Sequence, residues 1–366
     1  MKFKASREKV LKALQKVIST VGARSTLPVL SNVLLEAEAT QLSFTTTDLE
    51  IRITTQIEAE IEVPGSTTIP AKKFLALVSK FTDDDLYFSS NERHHAELVC
   101  GSSKFKLLGL PAEDFPLATE FTPVRRLTYK EGDLRRIFSQ ITYAVSLDDS
   151  RKVLHGVLCS CKDNLVAFVA TDGKRLAVVE KLPEEFKGTE GEVIIPLRAA
   201  NEIKRLVDGD EIITLEIGDK QAAFITDTVV LTSKLIEGSY PNYRQVIPNR
   251  FNCQVNVPAA TFLAKIELVS QVLSDNNSFI VLTFADNQLK LQATSAEIGE
   301  GLAIVDIEYS GEPIEVSFNP AFLAEPLRVA TVDSVTVNLN DGFSPVAIDG
   351  SEGFLYVIMP MRNNRQ

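Results

Sequence analysis

Along the chain, stretches in which apolar and polar residues alternate give way to stretches with apolar residues three or four apart, and this succession occurs three times. Each pass opens with a short segment, over residues 1–5, 126–130 and 252–257, that reads as a strand. An amphipathic helix follows. Its apolar face is Val10, Leu14, Val17 and Val21 in the first pass, Leu134, Ile137, Phe138 and Ile141 in the second, and Phe262, Ile266, Val269 and Leu273 in the third. Alternation resumes, as over 41–53 and 164–170, and leads to a second helix carrying Phe74, Leu77, Val78 and Phe81, or Ile203, Leu206 and Val207. Pro70, Pro196 and Pro320 suit the first position of that helix, where a missing N–H removes no bond. Pro326, inside the third such helix, predicts a kink or an early end. Each pass closes on strand: 86–89 with 104–108, 212–217 with 229–235, and 335–339 with 354–359.

Three ordered markers tie the passes together. A turn after a strand appears as Thr47-Asp48-Leu49-Glu50, Thr171-Asp172-Gly173-Lys174 and Thr294-Ser295-Ala296-Glu297. A strand entering a helix appears as Ile69-Pro70-Ala71-Lys72, Ile195-Pro196-Leu197-Arg198 and Phe318-Asn319-Pro320-Ala321. A late strand ends at Leu110-Pro111, Leu235-Ile236 and Met359-Pro360. Successive copies lie about 124 residues apart with nearly constant spacing between markers, as a triplicated domain requires. The joints fall at 117–124 and 244–252, where proline and charge replace periodicity. The domains are therefore expected over 1–122, 123–250 and 251–366. Two helices on antiparallel strands in each copy imply an α+β fold.

A length of 366 residues fits two or three cores, and 45% hydrophobic with 24% charged residues fits a chain folded throughout. No apolar run approaches the roughly 18 residues of a spanning helix. The start mixes Lys2, Lys4, Arg7, Lys9 and Lys12 with single apolar positions, unlike an export signal, so a cytoplasmic protein is expected and Asn276-Asn277-Ser278 carries no glycosylation meaning. Cys100, Cys159, Cys161 and Cys253 lack disulfide or zinc spacing and read as reduced thiols in strands. No phosphate-binding loop or nucleophile elbow is present, and Gly299-Glu300-Gly301 lacks the setting of a dinucleotide site. Asp83-Asp84-Asp85 and Asp148-Asp149 read as solvated turns without a third ligand, and His94, His95 and His155 lack a nucleophile. The expectation is a protein without catalysis, metal or cofactor.

A net charge of −11 argues against nucleic acid until its distribution is considered. The cations gather on predicted helices: Arg7, Lys9, Lys12 and Lys16, then Lys72, Lys73 and Lys80, then Arg135, Arg136, Arg198, Lys204 and Arg205, with only Lys265 and Arg328 in the third copy. Acidic residues concentrate elsewhere, as in Glu58, Glu60, Glu62 and the Asp83 run. Charge alone favours solvated helix faces. Geometry favours a ring: six helices about 10 Å wide enclose only about 9 Å, whereas twelve enclose about 28 Å. The latter admits a duplex about 20 Å across. Two triplicated chains would thus form a six-domain ring gripping phosphates without regard to sequence.

Four segments carry a family resemblance: Gly22-Ala23-Arg24-Ser25-Thr26-Leu27-Pro28-Val29-Leu30, Ala170-Thr171-Asp172-Gly173-Lys174-Arg175-Leu176, Tyr240-Pro241-Asn242-Tyr243-Arg244 and Val357-Ile358-Met359-Pro360-Met361-Arg362. In order and nearly without gaps, the chain resembles the bacterial replicative beta-clamp family, the DNA polymerase III beta subunits. The resemblance implies a head-to-tail homodimer around double-stranded DNA that tethers the replicative polymerase, a clamp loader as partner, and a cleft for short peptides of other replication and repair proteins. The deep part of that cleft would be Leu154, Thr171, Gly173, Leu176, Pro241, Val246, Val357 and Met359. The shallow part would use Lys174, Arg175, Asn319, Phe322, Phe343, Ser344, Pro345, Met361 and Arg362, and Arg244, Ile358 and Pro360 would also belong to the cleft. Met-Pro-Met-Arg near a chain end suits adaptable apolar binding. The resemblance sets Lys73, Lys104 and Phe105 of one copy against Val272, Leu273, Glu297 and Glu300 of the next, and offers Arg24, Lys72, Arg151, Lys152 and Arg198 to DNA. Lys174 stands where the family often has His, Phe343 and Pro345 are bulkier than expected there, and Asn363-Asn364-Arg365-Gln366 extends past the usual end. A protein scaffold that never meets DNA would share fold and cleft, but would be indifferent to charge reversal on the helices.

Overall fold

The computed structural model describes residues 1–22, 27–148, 150–162, 165–274, 279–351 and 353–361. Arg24, Arg362, the tail from Asn363, Asp149 and Asn276-Asn277-Ser278 lie outside the described residues. Six α-helices are present among the rest: α1 Arg7–Val17, α2 Ala71–Val78, α3 Glu131–Ile141, α4 Leu197–Leu206, α5 Ala259–Val269 and α6 Pro320–Arg328. They fall in pairs, one pair to each sequence repeat.

Contacts divide the chain into two compact units. The first comprises Met1–Leu134, Pro183–Thr189 and Asn201–Leu235. It holds a sheet of five strands ordered Glu60–Val63, Lys2–Ser6, Asp85–Ser90, His95–Cys100, Ser103–Leu108. Its second sheet has nine strands, ordered Glu185–Gly188, Arg125–Lys130, Ile212–Ile217, Gln221–Ile225, Val229–Lys234, Ile51–Glu58, Gln41–Thr47, Asn32–Glu38, Gly65–Pro70. Val10, Leu14 and Val17 of α1 and Phe74 and Val78 of α2 are fully buried, as their helical spacing predicts. Phe88 stacks on Phe3 at 4.7 Å between ring centres.

The second unit comprises Arg135–Leu182, Glu190–Ala200 and Ile236–Gln366. Its sheet of eight strands runs Gly191–Pro196, Gly156–Lys162, Leu165–Thr171, Arg175–Glu180, Phe354–Ile358, Val346–Ser351, Ser334–Leu339, Cys253–Pro258. A four-stranded sheet runs Gly299–Asp306, Gln288–Ser295, Ile280–Ala285, Ile314–Phe318. Phe262, Ile266 and Val269 of α5 and Leu323 and Leu327 of α6 are buried.

The sheets reveal how neighbouring repeats are sewn together. The last strand of the second repeat, Val229–Lys234, pairs with Ile51–Glu58 of the first, Leu231 opposite Ile53. The last strand of the third, Phe354–Ile358, pairs in the same way with Arg175–Glu180 of the second, Val357 opposite Leu176. Two strands are left over at sheet edges: Ser103–Leu108, the last strand of the first repeat, and Gly299–Asp306, the counterpart of the receiving strands in the third.

Several expectations are corrected. Pro70 and Pro196 close strands rather than open helices: Pro70 lies opposite Asn32 and Pro196 opposite Gly156, so each still belongs to a ladder. Only Pro320 occupies a first helical position, behind Asn319, whose Oδ1 accepts from Ala321 N at 2.9 Å. Pro326 does not shorten α6, which has nine residues against eight in α2 and ten in α4. The carbonyl its ring leaves unbonded, that of Phe322, accepts instead from Tyr356 Oη at 2.8 Å. Val21 and Leu273 fall beyond their helices, each after a single 3-10 turn. Strands His95–Cys100, Gln221–Ile225 and Val346–Ser351, which the sequence pattern did not predict, lie between the late strands. Residues 41–53 form two strands separated by the Thr-Asp turn.

Candidate functional site

The turn at Thr171 is built by its own side chains. Thr171 Oγ1 donates to the Arg175 carbonyl at 2.5 Å and accepts from Gly173 N at 3.1 Å, while Asp172 Oδ1 accepts from Lys174 N and Arg175 N at 2.9 and 3.1 Å. Gly173 sits at φ +86°, a conformation that favours glycine. The first repeat repeats these bonds through Thr47 and Asp48. There Leu49 takes the positive φ, +78°, and pays with strain what glycine avoids.

Arg175 follows the turn, and the structure moves it from the partner-facing rim expected of it into the framework. It is 9% exposed. Its Nε donates to Asp172 Oδ2 at 3.0 Å and its Nη2 to the Tyr143 carbonyl at 2.5 Å, and it forms an ion pair with Glu325 of α6. The guanidinium also lies over Phe322, 4.1 Å from the ring centre. Burial pushes the nearby Tyr143 and Tyr356 hydroxyls well up, so both stay protonated.

Of the expected cleft residues, Leu176 and Val357 lie opposite each other on one face of the eight-stranded sheet. Leu176 and Val357 are buried there in one apolar cluster with Leu158, Val169, Ile194 and Tyr243. Leu154 is buried as well, whereas Pro241, Val246 and Met359 are exposed. Thr171 N donates to Tyr240 Oη at 3.1 Å, tying the turn to the Tyr-Pro-Asn-Tyr-Arg segment. Met359 N donates to the Lys174 carbonyl at 2.9 Å and Met361 N to that of Ser317 at 2.8 Å, which fixes the chain through Pro360. Ile358 points away from this face and is fully buried. Asp341 accepts from Phe343 N and Ser344 N, both at 2.7 Å, and these bonds hold its carboxyl below the usual range. They fix a loop that presents Phe343, 75% exposed, just before Pro345. Lys174 and Arg244 are exposed, and Phe322 and Asn319 partly so.

The equivalent seam in the first unit is lined by different residues. Arg52 opposes Thr232 there, where Leu176 opposes Val357 in the second unit. Arg52 Nη1 donates to the Pro116 carbonyl at 2.7 Å, and its guanidinium lies 5.4 Å from the Phe115 ring centre. The hollow left is about 120 Å³.

Three of the seven residues expected at the self-contact, Lys104, Phe105 and Glu300, lie on the left-over edge strands. Phe105 is half-exposed beside Phe81, Lys104 pairs with Glu97 at 2.7 Å, and Lys73 is exposed on α2. On the other edge Glu297 and Glu300 are exposed, and Val272 and Leu273 follow α5. A side chain at Gly301 would touch Val272 at 3.4 Å, so this glycine leaves a shallow recess above Val272. Lys106, Leu108, Leu302 and Ile304, unnamed by the sequence reading, are also exposed on these edges. Of the expected DNA contacts, Lys72 Nζ donates to the Gly22 carbonyl at 3.1 Å, Lys152 and Arg198 are exposed, and Arg151 reaches Asp148 and the Asp172 carbonyl. Arg205 serves structure: it caps α1 through the Gln15 and Lys16 carbonyls at 3.1 and 2.6 Å while bonded to Glu202. No group of three or more His, Cys, Asp or Glu able to hold a metal occurs among the described residues.

Comparison with known proteins matches all three repeats. Residues 1–119, 128–242 and 244–362 match the N-terminal, central and C-terminal domains of the DNA polymerase III beta subunit. The chain is 34% identical over 367 residues to the beta sliding clamp of Haemophilus influenzae, covering 99% of this chain and 100% of that protein. It is 32% identical over 368 residues to that of Escherichia coli, with the same coverage. The crystal structure of the Pseudomonas aeruginosa sliding clamp bound to griselimycin superposes with a TM-score of 0.94 at 32% identity, over 99% of this chain and 100% of that one.

Proposed function

We propose, from the premise that this chain belongs to the DNA polymerase III beta subunit family, that two copies close head to tail into a ring threaded by duplex DNA. The chain is a DNA sliding clamp, a processivity factor for a polymerase and not an enzyme. Its clamp domains are taken as 1–122, 123–250 and 251–366, and its site of action as the cytoplasm; no helix among the described residues is long and apolar enough to cross a membrane.

The observation that carries the ring is the pair of unmatched edge strands. Each last strand in the chain except that of the first repeat pairs with a receiving strand, and each receiving strand except that of the third repeat is taken. Joining Ser103–Leu108 of one copy to Gly299–Asp306 of the next completes the rule, and with two copies no edge of this kind remains. Carrying over the register of the two internal seams sets Phe105 opposite Gly301 and Lys106 opposite Glu300. Phe105 then fills the recess above Val272, and opposite charges meet on the other face. Lys73, Lys104, Leu273 and Glu297 flank this contact. Lys72, Arg151, Lys152 and Arg198, with Arg24, supply phosphate contacts.

A clamp loader places the ring, and other proteins dock short peptides with an apolar anchor over Leu176, Val357 and Met359. The test loads the purified protein with a bacterial clamp loader onto nicked circular DNA, then cuts the circle. A topologically linked ring leaves the linear ends at once, and retention after cutting rules the reading out. The triple variant Lys72→Glu, Lys152→Glu, Arg198→Glu should remain dimeric yet lose DNA affinity. Its slope of log affinity against log salt should fall by about 0.9 for each phosphate contact removed. An unchanged slope assigns these cations to solvent. Leu176→Arg, which copies the first seam, should weaken an anchored peptide about thirtyfold by isothermal titration while leaving dimerisation intact.

A further inference from the structure

The sheet face that floors the cleft continues beyond it. Two residues along from the Leu176–Val357 pair, on the same face, lie Val178 and Leu355. Tyr243 packs in the same apolar cluster as Leu176, Val178 and Val357. Beyond it opens a compartment of about 550 Å³, with Val178 and Leu355 below and Glu180, Arg244 and Asp349 on its walls.

Its polar groups are short of partners. Tyr243 is 6% exposed, and its hydroxyl makes no hydrogen bond to any described residue, a rare state for a buried polar atom. Asp349 accepts one hydrogen bond, from Asn338 Nδ2 at 2.8 Å, and partial burial raises its carboxyl. Neither Asp349 nor Glu180 has an ion-pair partner among the described residues; Glu180 lies opposite Ala167 at the end of its strand, and its backbone N–H donates to the Gly353 carbonyl at 2.7 Å. Arg244 does not neutralise them. It is drawn over the Tyr243 ring, 5.0 Å from its centre, and its charge acts on Glu192.

We propose that this compartment receives a lysine or arginine side chain from the flank of a partner peptide whose apolar residue is anchored in the cleft. The inference rests on the cleft reading above. The ammonium or guanidinium lies between Glu180 and Asp349, and the Tyr243 hydroxyl donates to a backbone carbonyl of the peptide as it crosses. An acidic flank would face two carboxylates, both on exposed residues, and an apolar one would offer them no opposite charge. An extended chain advances about 3.3 Å per residue, so the cation belongs two or three residues beyond the anchor.

Fluorescence anisotropy on the full-length protein tests this with synthetic peptides carrying a Leu-Phe anchor. One has the anchor alone; others add lysine two or three residues beyond it at either end, and matched controls carry norleucine instead. At least one lysine peptide should bind about tenfold tighter than its norleucine match. That advantage should vanish in the Glu180→Gln, Asp349→Asn double variant, which still binds the anchor-only peptide as the native chain does. Lysine peptides no tighter than norleucine peptides, or an advantage that survives the double variant, overturn the acidic compartment while leaving the cleft standing. Failure of the anchor-only peptide to bind the native chain overturns the cleft and the compartment together.

Discussion

Lys106→Pro is expected to leave the protein a folded monomer at concentrations where the native chain is dimeric, and to abolish its retention on circular DNA. The hairpin geometry selects the position. Cys100 and Ser103 face each other across a two-residue connection, and Leu98 faces Phe105. Hydrogen-bonded pairs alternate with non-bonded ones, so Phe105 bonds inward to its neighbour while the Lys106 N–H points out of the sheet. Proline there removes a donor that only a joining strand would use, and a proline facing outward is tolerated on an edge. Loss of the bond and the ring's obstruction together cost about 3 kcal/mol, or a factor of about 100 in association. Lys106→Ala keeps the N–H and loses only the opposition to Glu300, a change of roughly 0.2–1 kcal/mol. Sedimentation of the two variants separates strand pairing from charge. If the proline variant dimerises as tightly as the native chain, the ring is not closed along this edge.

How far the molecule could be read from residues alone follows from how local each signal is. The triplication and the first helix of each repeat were legible because periodicity and turn chemistry act over a few positions. The intervening strands His95–Cys100, Gln221–Ile225 and Val346–Ser351 were not, being short and bounded by turns that fit loops as well. Pro70 and Pro196 were misplaced for a related reason. Proline suits a helix start as well as the end of a strand, and the partners that decide, Asn32 and Gly156, lie far along the chain. The edge strands became meaningful only once all other pairings were known, since an unmatched edge is a property of the sheet and not of a segment. Motif matching named residues that the structure brings close together but not the separate tasks they carry. Tyr243 was quoted as part of a motif, and nothing in its neighbours announced a buried hydroxyl without a partner.

Arg175 is the sharpest case, because its two possible roles predict different losses. A partner-facing arginine replaced by alanine would weaken peptide binding and shift stability by no more than about 0.5 kcal/mol. The structure instead places three tasks on one guanidinium: it neutralises Asp172 and Glu325, donates to the Tyr143 carbonyl and stacks on Phe322. Arg175→Ala leaves two carboxylates, both largely shielded from water, facing each other without a cation, so about 3–5 kcal/mol should be lost from the unit that holds the cleft. Asp172 also holds the Lys174 and Arg175 N–H groups, so its repulsion from Glu325 strains the turn that shapes the cleft. Peptide affinity should therefore fall together with stability. Arg175→Lys separates charge from shape: a lysine restores one positive charge but neither the fork nor the flat face over Phe322, and recovery should be partial. Denaturant unfolding read beside peptide titration decides between the roles. A variant that binds weakly yet unfolds at the native midpoint would return Arg175 to the rim.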